Sequence, residues 1–266
     1  KRNVDGSLSE ELLTDFPEIE ASFKAFLNGK DASKTYSESF EIPAKNILLN
    51  TDYRIDAQYH KSHSEIGNSF SHSTLNGKWK LMKIKDLVNK IFYPGRFARN
   101  YVEHVDNSVP FLGGTNITQL LLITEKRLSS DNPKLEELRV EPGWILVTRS
   151  GSTGIVSSVP SAWKGFAISE HVIRIIPVNK KLPGEYLYAY LRSKYGQERL
   201  SQGVYGSVID EITPDFIGNI EIPVPTSKDK LNSVINNVKK GEVARQNAIE
   251  SLNKAVEDIE AEISLY

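Results

Sequence analysis

A loop rich in hydroxyl groups and glycine, with a single arginine, is the part of the sequence best equipped for chemistry. It spans residues 149–154 and reads Arg-Ser-Gly-Ser-Thr-Gly. Arg149 supplies a fixed cation, Ser150, Ser152 and Thr153 supply hydroxyls, and the glycines leave backbone amides accessible. Groups of this kind hydrogen bond to phosphate oxygens and to base edges. The loop therefore favours contact with nucleic acid.

Basic and aromatic side chains alternate in a second stretch, residues 91–101, around a Pro-Gly turn. Arginines can bind backbone phosphates and aromatic rings can stack on bases, so Arg96, Arg99 and Tyr101 are candidate contacts. The same pattern would also arise from a β-rich corner with aromatic residues in the core and exposed arginines. Basic side chains elsewhere add three more candidates: Lys126, Arg127 and Lys164.

Enzymatic chemistry finds little support in the sequence. Ser152, His171 and Asp210 could be combined into a catalytic triad, but no spacing rule supports that combination, and the Gly-x-Ser-x-Gly elbow of many hydrolases is missing. His60 and His63 are three residues apart, yet no third ligand is nearby and the chain contains no cysteine. We therefore predict no catalytic residue, no metal site and no cofactor.

Charge is distributed unevenly along the 266 residues, although the net charge is only -1. Residues 78–226 contain 19 Lys and Arg against 15 Asp and Glu. Residues 1–30 contain 4 against 6, and residues 227–266 contain 6 against 7. The middle of the chain is therefore mildly basic, which is the direction expected of a protein that reads DNA.

Several absences in the sequence bear on the cellular compartment. The lack of cysteine fits a reducing cytoplasm. No signal peptide is visible, and no stretch approaches the roughly 18 apolar residues needed to span a bilayer. We therefore predict a cytoplasmic protein without membrane association. The first residue is Lys1 rather than methionine, which suggests a fragment of a longer chain.

Two apolar, β-branched runs flank the loop at residues 149–154, and a third apolar run follows at residues 172–176. Such runs around a short loop predict a β-hairpin followed by a third strand, with Arg149 at the tip of the hairpin. Elsewhere the patterns predict a strand at 79–84, one helix over 181–201, a helix that begins at Thr213-Pro214, and a strand at 220–225.

The last forty residues predict one long helix that begins after Ser227 and ends near Leu265. At 1.5 Å per residue it would reach roughly 55 Å, longer than a compact domain of this size requires. Its apolar residues follow heptad spacing on both sides of a break at Gly241, so we expect a coiled-coil seam that pairs with a partner helix. The seam consists of Leu231, Ile235, Val238, Ile249, Leu252, Val256, Ile259 and Ile263.

Four segments around the loop resemble a known family. They are an Arg-Ser-Gly loop after a strand, a Gly-Ile-Val strand, Ile-Ser-x-His before an apolar strand, and Asn-Ile-Glu-Ile-Pro-Val-Pro before the long helix. Together they are similar to the target recognition domain of type I restriction–modification specificity subunits, over about residues 53–265. The resemblance implies an α+β fold: a globular, mixed β-rich domain, a long C-terminal coiled-coil helix, and a short helical N-terminal segment.

The resemblance also implies an organisation and a function. Residues 1–72 would be a helical and linker segment, residues 73–226 the DNA target recognition domain, and residues 227–266 a spacer and dimerisation helix. The function would be sequence-specific recognition of double-stranded DNA. Catalysis would belong to an adenine methyltransferase, with an endonuclease subunit as a further candidate partner.

In this family a Gly-Ser loop at the position of Tyr205 and Ser207 lies near the recognition surface, which adds both residues to the candidate DNA contacts. Two long helices pair antiparallel in such subunits, which suggests a homodimer or another helix partner.

The N-terminal segment carries a second, shorter resemblance. A helical pattern covers residues 18–27 after a boundary at Phe16-Pro17. Together with Asp5-Gly6 this segment resembles the C-terminal end of restriction-system adenine methyltransferases, which implies a methyltransferase–specificity fusion. The chain departs from the specificity family at residues 227–230 and at Gly241. The alternative interpretation is a non-enzymatic coiled-coil interaction module that does not bind DNA.

Overall fold

The computed structural model describes residues 16–31, 42–48, 77–103, 105–119, 122, 124–178, 180–204 and 211–263. The chain divides into two compact units, residues 1–61 and residues 62–266. Several predictions fall outside the described residues: those for His60, His63, Tyr205, Ser207 and Asp210. No helix among the described residues is long and apolar enough to cross a membrane.

The first unit contains two described helices, α1 (Phe16–Leu27) and α2 (Ala44–Leu48). The predicted helix at residues 18–27 is confirmed, with its start at the Phe16-Pro17 boundary. Ser22 is buried, whereas the large apolar side chains of α1 are exposed: Phe16, Ile19, Phe23, Phe26 and Leu27.

The first and last described strands of the second unit pair with each other in antiparallel orientation. Strand β1 (Trp79–Lys83) pairs with β10 (Glu221–Pro225), with Leu81 opposite Pro223. Short helices adjoin both strands, α3 (Ile84–Leu87) after β1 and α7 (Pro214–Asn219) before β10. The predicted helix start at Thr213-Pro214 is confirmed, because the Thr213 hydroxyl accepts a hydrogen bond from the Phe216 amide at 3.2 Å.

A four-stranded antiparallel sheet forms the centre of this unit. Its strands follow the order β2-β9-β6-β7, with bounds β2 (Val88–Phe92), β6 (Ile145–Thr148), β7 (Val156–Ser158) and β9 (Val172–Pro177). The predicted hairpin is therefore confirmed as β6 and β7, and the predicted third strand is β9. Thr148 pairs with Val172 at the end of this ladder, so the residues just beyond them, Arg149 and His171, must lie side by side.

A second four-stranded sheet packs around the first. Its order is β3-β5-β4-β8, and β4 and β8 run parallel. Because β8 runs parallel to β4, the turn at residues 169–171 that follows β8 begins beside the end of β4. The bounds are β3 (Tyr101–Val102), β4 (Ser108–Leu112), β5 (Arg127–Ser129) and β8 (Ala167–Ile168), with helix α4 (Leu135–Leu138) and 3-10 helices at Asn116–Thr118 and Ser161–Trp163.

The single helix predicted over residues 181–201 is wrong. The chain forms two helices, α5 (Gly184–Arg192) and α6 (Lys194–Gln202). Ser193 between them has extended backbone angles, and its hydroxyl accepts a hydrogen bond from the Gly196 amide at 3.2 Å. A serine that caps the second helix thus ends the first one, because its side chain offers the backbone an alternative to helical hydrogen bonds.

The long C-terminal helix α8 (Lys228–Ile263) is confirmed and runs through Gly241 without interruption. Its apolar stripe divides into two parts. Ile235 is buried in the core of the same chain, and Leu231 packs against that core. Arg245 donates to the Gln119 backbone oxygen at 3.2 Å and lies over the Trp163 ring. Beyond Ile249 the stripe is exposed, by 42% at Leu252, 51% at Val256, 61% at Ile259 and 68% at Ile263.

Two glycines in helices should respond in opposite ways to replacement by alanine. A Cβ at Gly196 would lie 2.1 Å from the Tyr190 backbone oxygen, whereas a Cβ at Gly241 would meet nothing within 4 Å. We expect Gly196→Ala to lower the free energy of unfolding by about 1–3 kcal/mol through overpacking. We expect Gly241→Ala to raise it by about 0.5–1 kcal/mol, because alanine loses less backbone entropy than glycine in a helix. Urea unfolding of both variants would check this, and a shift of the same sign in both would contradict it.

Candidate nucleic-acid interface

Thr148, the last residue of β6, fixes the shape of the turn at the tip of the hairpin. Its buried hydroxyl donates a hydrogen bond to the Ser152 backbone oxygen and accepts one from the Ile155 amide at 2.9 Å. The φ angles of Gly151 and Gly154 are +79° and +81°, in the left-handed region that favours glycine. One threonine and two glycines therefore hold the turn in place.

A chain of polar contacts joins this turn to two neighbouring segments. Ser150 Oγ lies 2.6 Å from His171 Nδ1, and His171 Nε2 lies 3.6 Å from Glu170 Oε1. The same carboxylate oxygen accepts a hydrogen bond from Arg99 Nη2 at 2.5 Å. These four residues come from three separate stretches of sequence. The β6–β9 pairing brings Ser150 beside Glu170 and His171, and Arg99 reaches Glu170 from the segment before β3. We call residues 149–154, together with Arg99, Glu170 and His171, the polar tip.

Glu170 stays ionised within this network. Burial alone would raise the pKa of its carboxyl group, but a hydrogen bond from its own backbone amide, the Arg99 guanidinium and the nearby His171 outweigh burial. Together they hold the pKa of Glu170 below its usual range. The positive charge of Arg99 is therefore already balanced inside the polar tip, and the half-exposed imidazole of His171 is held from both sides.

The side chain of Arg149 is also held by contacts within the protein. Only 11% of its side chain is exposed, and Nη2 lies 2.7 Å from Glu211 Oε2. The guanidinium carbon lies 4.1 Å from the centroid of the Tyr93 ring, in cation–π geometry. The guanidinium is thus enclosed between a carboxylate and an aromatic face. Further along the turn, Ser152 is exposed and Thr153 is half-buried.

Arg174 supports the polar tip from inside the fold. Its side chain is fully buried, and Nη1 donates to the backbone oxygens of Ser169 at 2.9 Å and Val172 at 2.5 Å. Nη2 donates to the backbone oxygens of Leu138 at 3.2 Å and Ile168. Burial lowers the pKa of Arg174 to about 9, and the negative charge of Glu170 opposes this shift. One guanidinium thereby holds both ends of the turn that carries Glu170 and His171.

Two other predicted residues, Tyr101 and Lys126, lie with Arg99 around the Phe111 ring. The Arg99 guanidinium carbon lies 5.9 Å from the centroid of that ring, and the Tyr101 ring lies 5.7 Å from it. Lys126 Nζ is 5.6 Å from the centroid of Tyr101. Tyr101 and Lys126 are both exposed. In the stretch at residues 91–101, Phe97 packs beside Phe111 while Arg96 and Arg99 are exposed, which is the arrangement expected of a β-rich corner.

The remaining predicted contacts are less closely grouped. Arg96 is exposed. Arg127 on β5 donates from Nε to the Ser108 hydroxyl at 2.8 Å. Lys164 is exposed in the segment after β7, where the neighbouring Gly165 amide donates to the Val140 oxygen at 2.9 Å. That segment lies at the end of β6 opposite to Arg149, so Lys164 is not part of the polar tip.

The serine–histidine contact differs from a hydrolytic triad. In such triads the serine bonds Nε2 of the histidine and the acid bonds Nδ1. Here Ser150 lies at Nδ1, and the carboxylate of Glu170 near Nε2 is bound to Arg99. The serine beside His171 is Ser150, whereas the triad combination in the sequence used Ser152. Within the described part of the chain, no group of three His, Asp or Glu side chains could hold a metal ion.

Sequence reasoning missed four residues that complete this site: Tyr93, Glu170, Glu211 and Arg174. A signal existed for Glu170, because antiparallel pairing of the strand that ends at Thr148 with the strand that begins at Val172 brings residues 170 and 171 beside the turn. No local signal existed for Glu211, which lies 62 residues beyond Arg149 in the sequence.

Comparison with known proteins gives the following matches. Residues 76–251 match the family described as Type I restriction modification DNA specificity domain. The chain is similar to the HsdS subunit from Thermoanaerobacter tengcongensis, with 17% identity, a TM-score of 0.47, and coverage of 72% of this chain and 45% of that chain. It is similar to the S subunit of a type I restriction–modification system from M. genitalium, with 17% identity, a TM-score of 0.46, and coverage of 68% and 44%.

A third solved chain comes from work on complex assembly and conformational transition of the type I R-M system. It shows 16% identity and a TM-score of 0.48, with coverage of 97% of this chain and 61% of that chain. This protein therefore spans between 44% and 61% of the length of the solved chains that it matches. No curated protein sequence matches it.

Proposed function

The chain belongs to the family of type I restriction modification DNA specificity domains, and from this premise we propose that it recognises a specific sequence in double-stranded DNA for a restriction–modification system. The observation that carries the proposal is the family match itself, which covers residues 76–251 and so includes the whole polar tip. The coiled-coil module without DNA binding is not favoured by this membership.

The polar tip is the surface that we assign to DNA. Ser152 is exposed and Thr153 and His171 are half-buried at the end of the hairpin, so their hydroxyl and imidazole groups can reach base edges. Ser150 holds His171 through Nδ1 and would orient the imidazole. We assign phosphate contacts to exposed basic and aromatic side chains beside the tip: Arg96, Tyr101 and Lys126. Arg99 is a further candidate within the tip, where Glu170 balances its charge. We keep Arg127, Lys164, Tyr205 and Ser207 as separate candidates.

We assign the covalent chemistry to partner proteins. An adenine methyltransferase acts on a base flipped out of the duplex, and an endonuclease subunit would cleave. The exposed end of α8 offers an apolar stripe for a partner helix, from Leu252 to Ile263. We propose that pairing through this stripe, with a second copy of the chain or with a helix of the partner assembly, separates two DNA readers by a fixed distance.

Selection from random duplex DNA tests the proposal. The protein would be incubated with the library at two salt concentrations, alone and with a cognate methyltransferase. We expect enrichment of one short motif, and of two half-motifs at fixed spacing if two readers are held together. The logarithm of the binding constant should fall with the logarithm of salt concentration by about 0.9 per phosphate contact.

A Ser152→Ala, Thr153→Ala variant provides the matched test of the assigned surface, because both hydroxyls are lost while the turn keeps its glycines and Thr148. We expect the same salt dependence. The free energy of specific binding should weaken by about 1–3 kcal/mol for each base pair no longer read, and motif enrichment should fall accordingly. Absence of any enriched motif in all four conditions, together with salt-independent binding, would contradict DNA recognition by this protein.

A further inference from the structure

Arg149 is the residue that the sequence presents most prominently as a base reader, yet its side chain is already engaged within the protein. Glu211 lies 2.7 Å from Nη2, the Tyr93 ring covers one face, and 11% of the side chain is exposed. An arginine that reads guanine directs two N–H groups at O6 and N7 of the base. To do this, Arg149 would have to leave a carboxylate that is itself 30% exposed, and breaking such partly buried pairs is unfavourable.

The backbone of Arg149 contacts the segment that its side chain contacts at Glu211, and it also contacts the turn before β9. Its amide donates to the His171 oxygen at 2.7 Å, and its own oxygen accepts a hydrogen bond from the Ile212 amide at 3.0 Å. The next residue, Ser150, forms an isolated β-bridge with Glu211. Side chain and backbone therefore fasten the base of the turn to one segment, Glu211 and Ile212, and to the turn that precedes β9.

We propose that Arg149 is a positioning residue for sequence recognition, and that Glu211 is its partner in this role. The ion pair and the Tyr93 contact hold residues 149–154 in the orientation that leaves Ser152 exposed and Thr153 half-buried. This inference rests on the DNA recognition proposed above and assigns a role within it. It makes sequence discrimination depend on a carboxylate, although a carboxylate close to DNA would by charge alone oppose binding.

The two possible roles of Arg149 predict opposite effects of Glu211→Gln. If Arg149 reads a base, loss of the competing carboxylate frees its guanidinium, and specific binding stays or improves. If Arg149 positions the turn, the variant loses the ion pair, and the turn no longer meets the bases in register. We expect the ratio of specific to non-specific affinity to fall by about 10- to 100-fold, the effect of one or two misread base pairs. Non-specific affinity should stay within about 3-fold, because no phosphate contact is lost.

An exchange of the two charges separates the ion pair from the individual residues. Arg149→Glu alone should lose discrimination, and addition of Glu211→Arg should restore part of it, because the pair re-forms with opposite polarity. A base-reading arginine could not be replaced in this way. Glu141→Gln removes an exposed carboxylate at the other end of β6 and serves as the control, with unchanged discrimination expected. Circular dichroism and thermal midpoints would establish that each variant is folded.

The experiment uses the motif that the wild-type protein selects, measured by fluorescence anisotropy on specific and scrambled duplexes. Retained discrimination in Glu211→Gln, or a folded exchange variant without any recovery, would overturn the positioning role while leaving DNA recognition intact. A wild-type protein that selects no motif would instead overturn the proposed function itself. The two failures are therefore distinguishable.

Discussion

Arg174→Met should remove a large part of the stability of the recognition unit. The methionine fills most of the volume of the arginine stem but provides none of its N–H groups, so four backbone oxygens lose a hydrogen-bond donor in a fully buried site. The Ser169 oxygen keeps the Val172 amide as a donor at 3.1 Å, and each buried acceptor left unsatisfied costs about 1–3 kcal/mol. Relief from burying a cation offsets part of this sum, and we expect a net loss of about 4 kcal/mol. Such a loss is large against the 5–15 kcal/mol total of typical domains.

Urea and thermal unfolding monitored by circular dichroism would measure this effect, and the yield of soluble protein would report it in cells. Arg192→Met is the matched control, because Arg192 is exposed and donates to a single hydroxyl, that of Tyr188, at 2.7 Å. We expect that control to change the free energy of unfolding by about 0.5 kcal/mol or less. Equal effects of the two substitutions would show that the buried hydrogen bonds of Arg174 are not needed for stability.

Arg174→Lys would refine the interpretation. A lysine retains the charge but has one ammonium group, which cannot reach oxygens on both sides as a planar guanidinium does. We therefore expect a loss of stability between those of Arg174→Met and the control. Because the guanidinium holds the Ser169 and Val172 oxygens at both ends of the turn with Glu170 and His171, this variant should also weaken DNA discrimination when it is still folded.

Val256→Lys together with Ile259→Lys should abolish association through the exposed end of α8. Both side chains lie on the apolar stripe and are more than half exposed in the single chain, at 51% and 61%. A helix face of this kind is stable in water only when a partner covers it. Burial of one such side chain contributes about 1.5–3 kcal/mol, so two substitutions should raise the dissociation constant at least about 100-fold.

Sedimentation velocity over a range of concentrations, with and without the methyltransferase, would measure the association. Asn247→Lys with Ala261→Lys adds the same charge to exposed positions on the opposite face of the helix, and this control should associate as the wild-type protein does. In DNA selection, the Val256→Lys, Ile259→Lys variant should retain a single half-motif but lose fixed spacing between two. Unchanged association would rule out the stripe as the pairing surface.

Leu231 and Ile235 belong to the same heptad pattern but should not contribute to that association. Ile235 is 8% exposed and lies in the core cluster of its own chain, against which Leu231 packs. The heptad spacing predicted one seam of eight residues, whereas the fold uses the first part within the chain and leaves the last part uncovered. Spacing along a helix identifies an apolar face, but it does not identify the surface that covers this face.

Local signals in the sequence determined most of the secondary structure near the site. The β6–β7 hairpin and strand β9 follow from short apolar, β-branched runs around a loop, and helix α8 follows from heptad spacing, because these patterns depend only on residues close in sequence. The exposed turn at residues 149–154 follows from its glycines. The helix break at Ser193 was missed, because in the sequence a serine that caps a helix resembles any other polar helix residue.

The roles of the charged side chains were decided by tertiary structure alone. In the sequence, Arg149 is a cation on a polar loop and Arg174 is a single charge within an apolar run. In the fold, Arg149 meets Glu211 from 62 residues away, and Arg174 donates to four backbone oxygens in the core. An ion pair or a buried hydrogen bond requires two groups within about 3 Å of each other. Sequence patterns specify which surfaces are apolar, whereas only the packing of distant segments brings such groups within that distance.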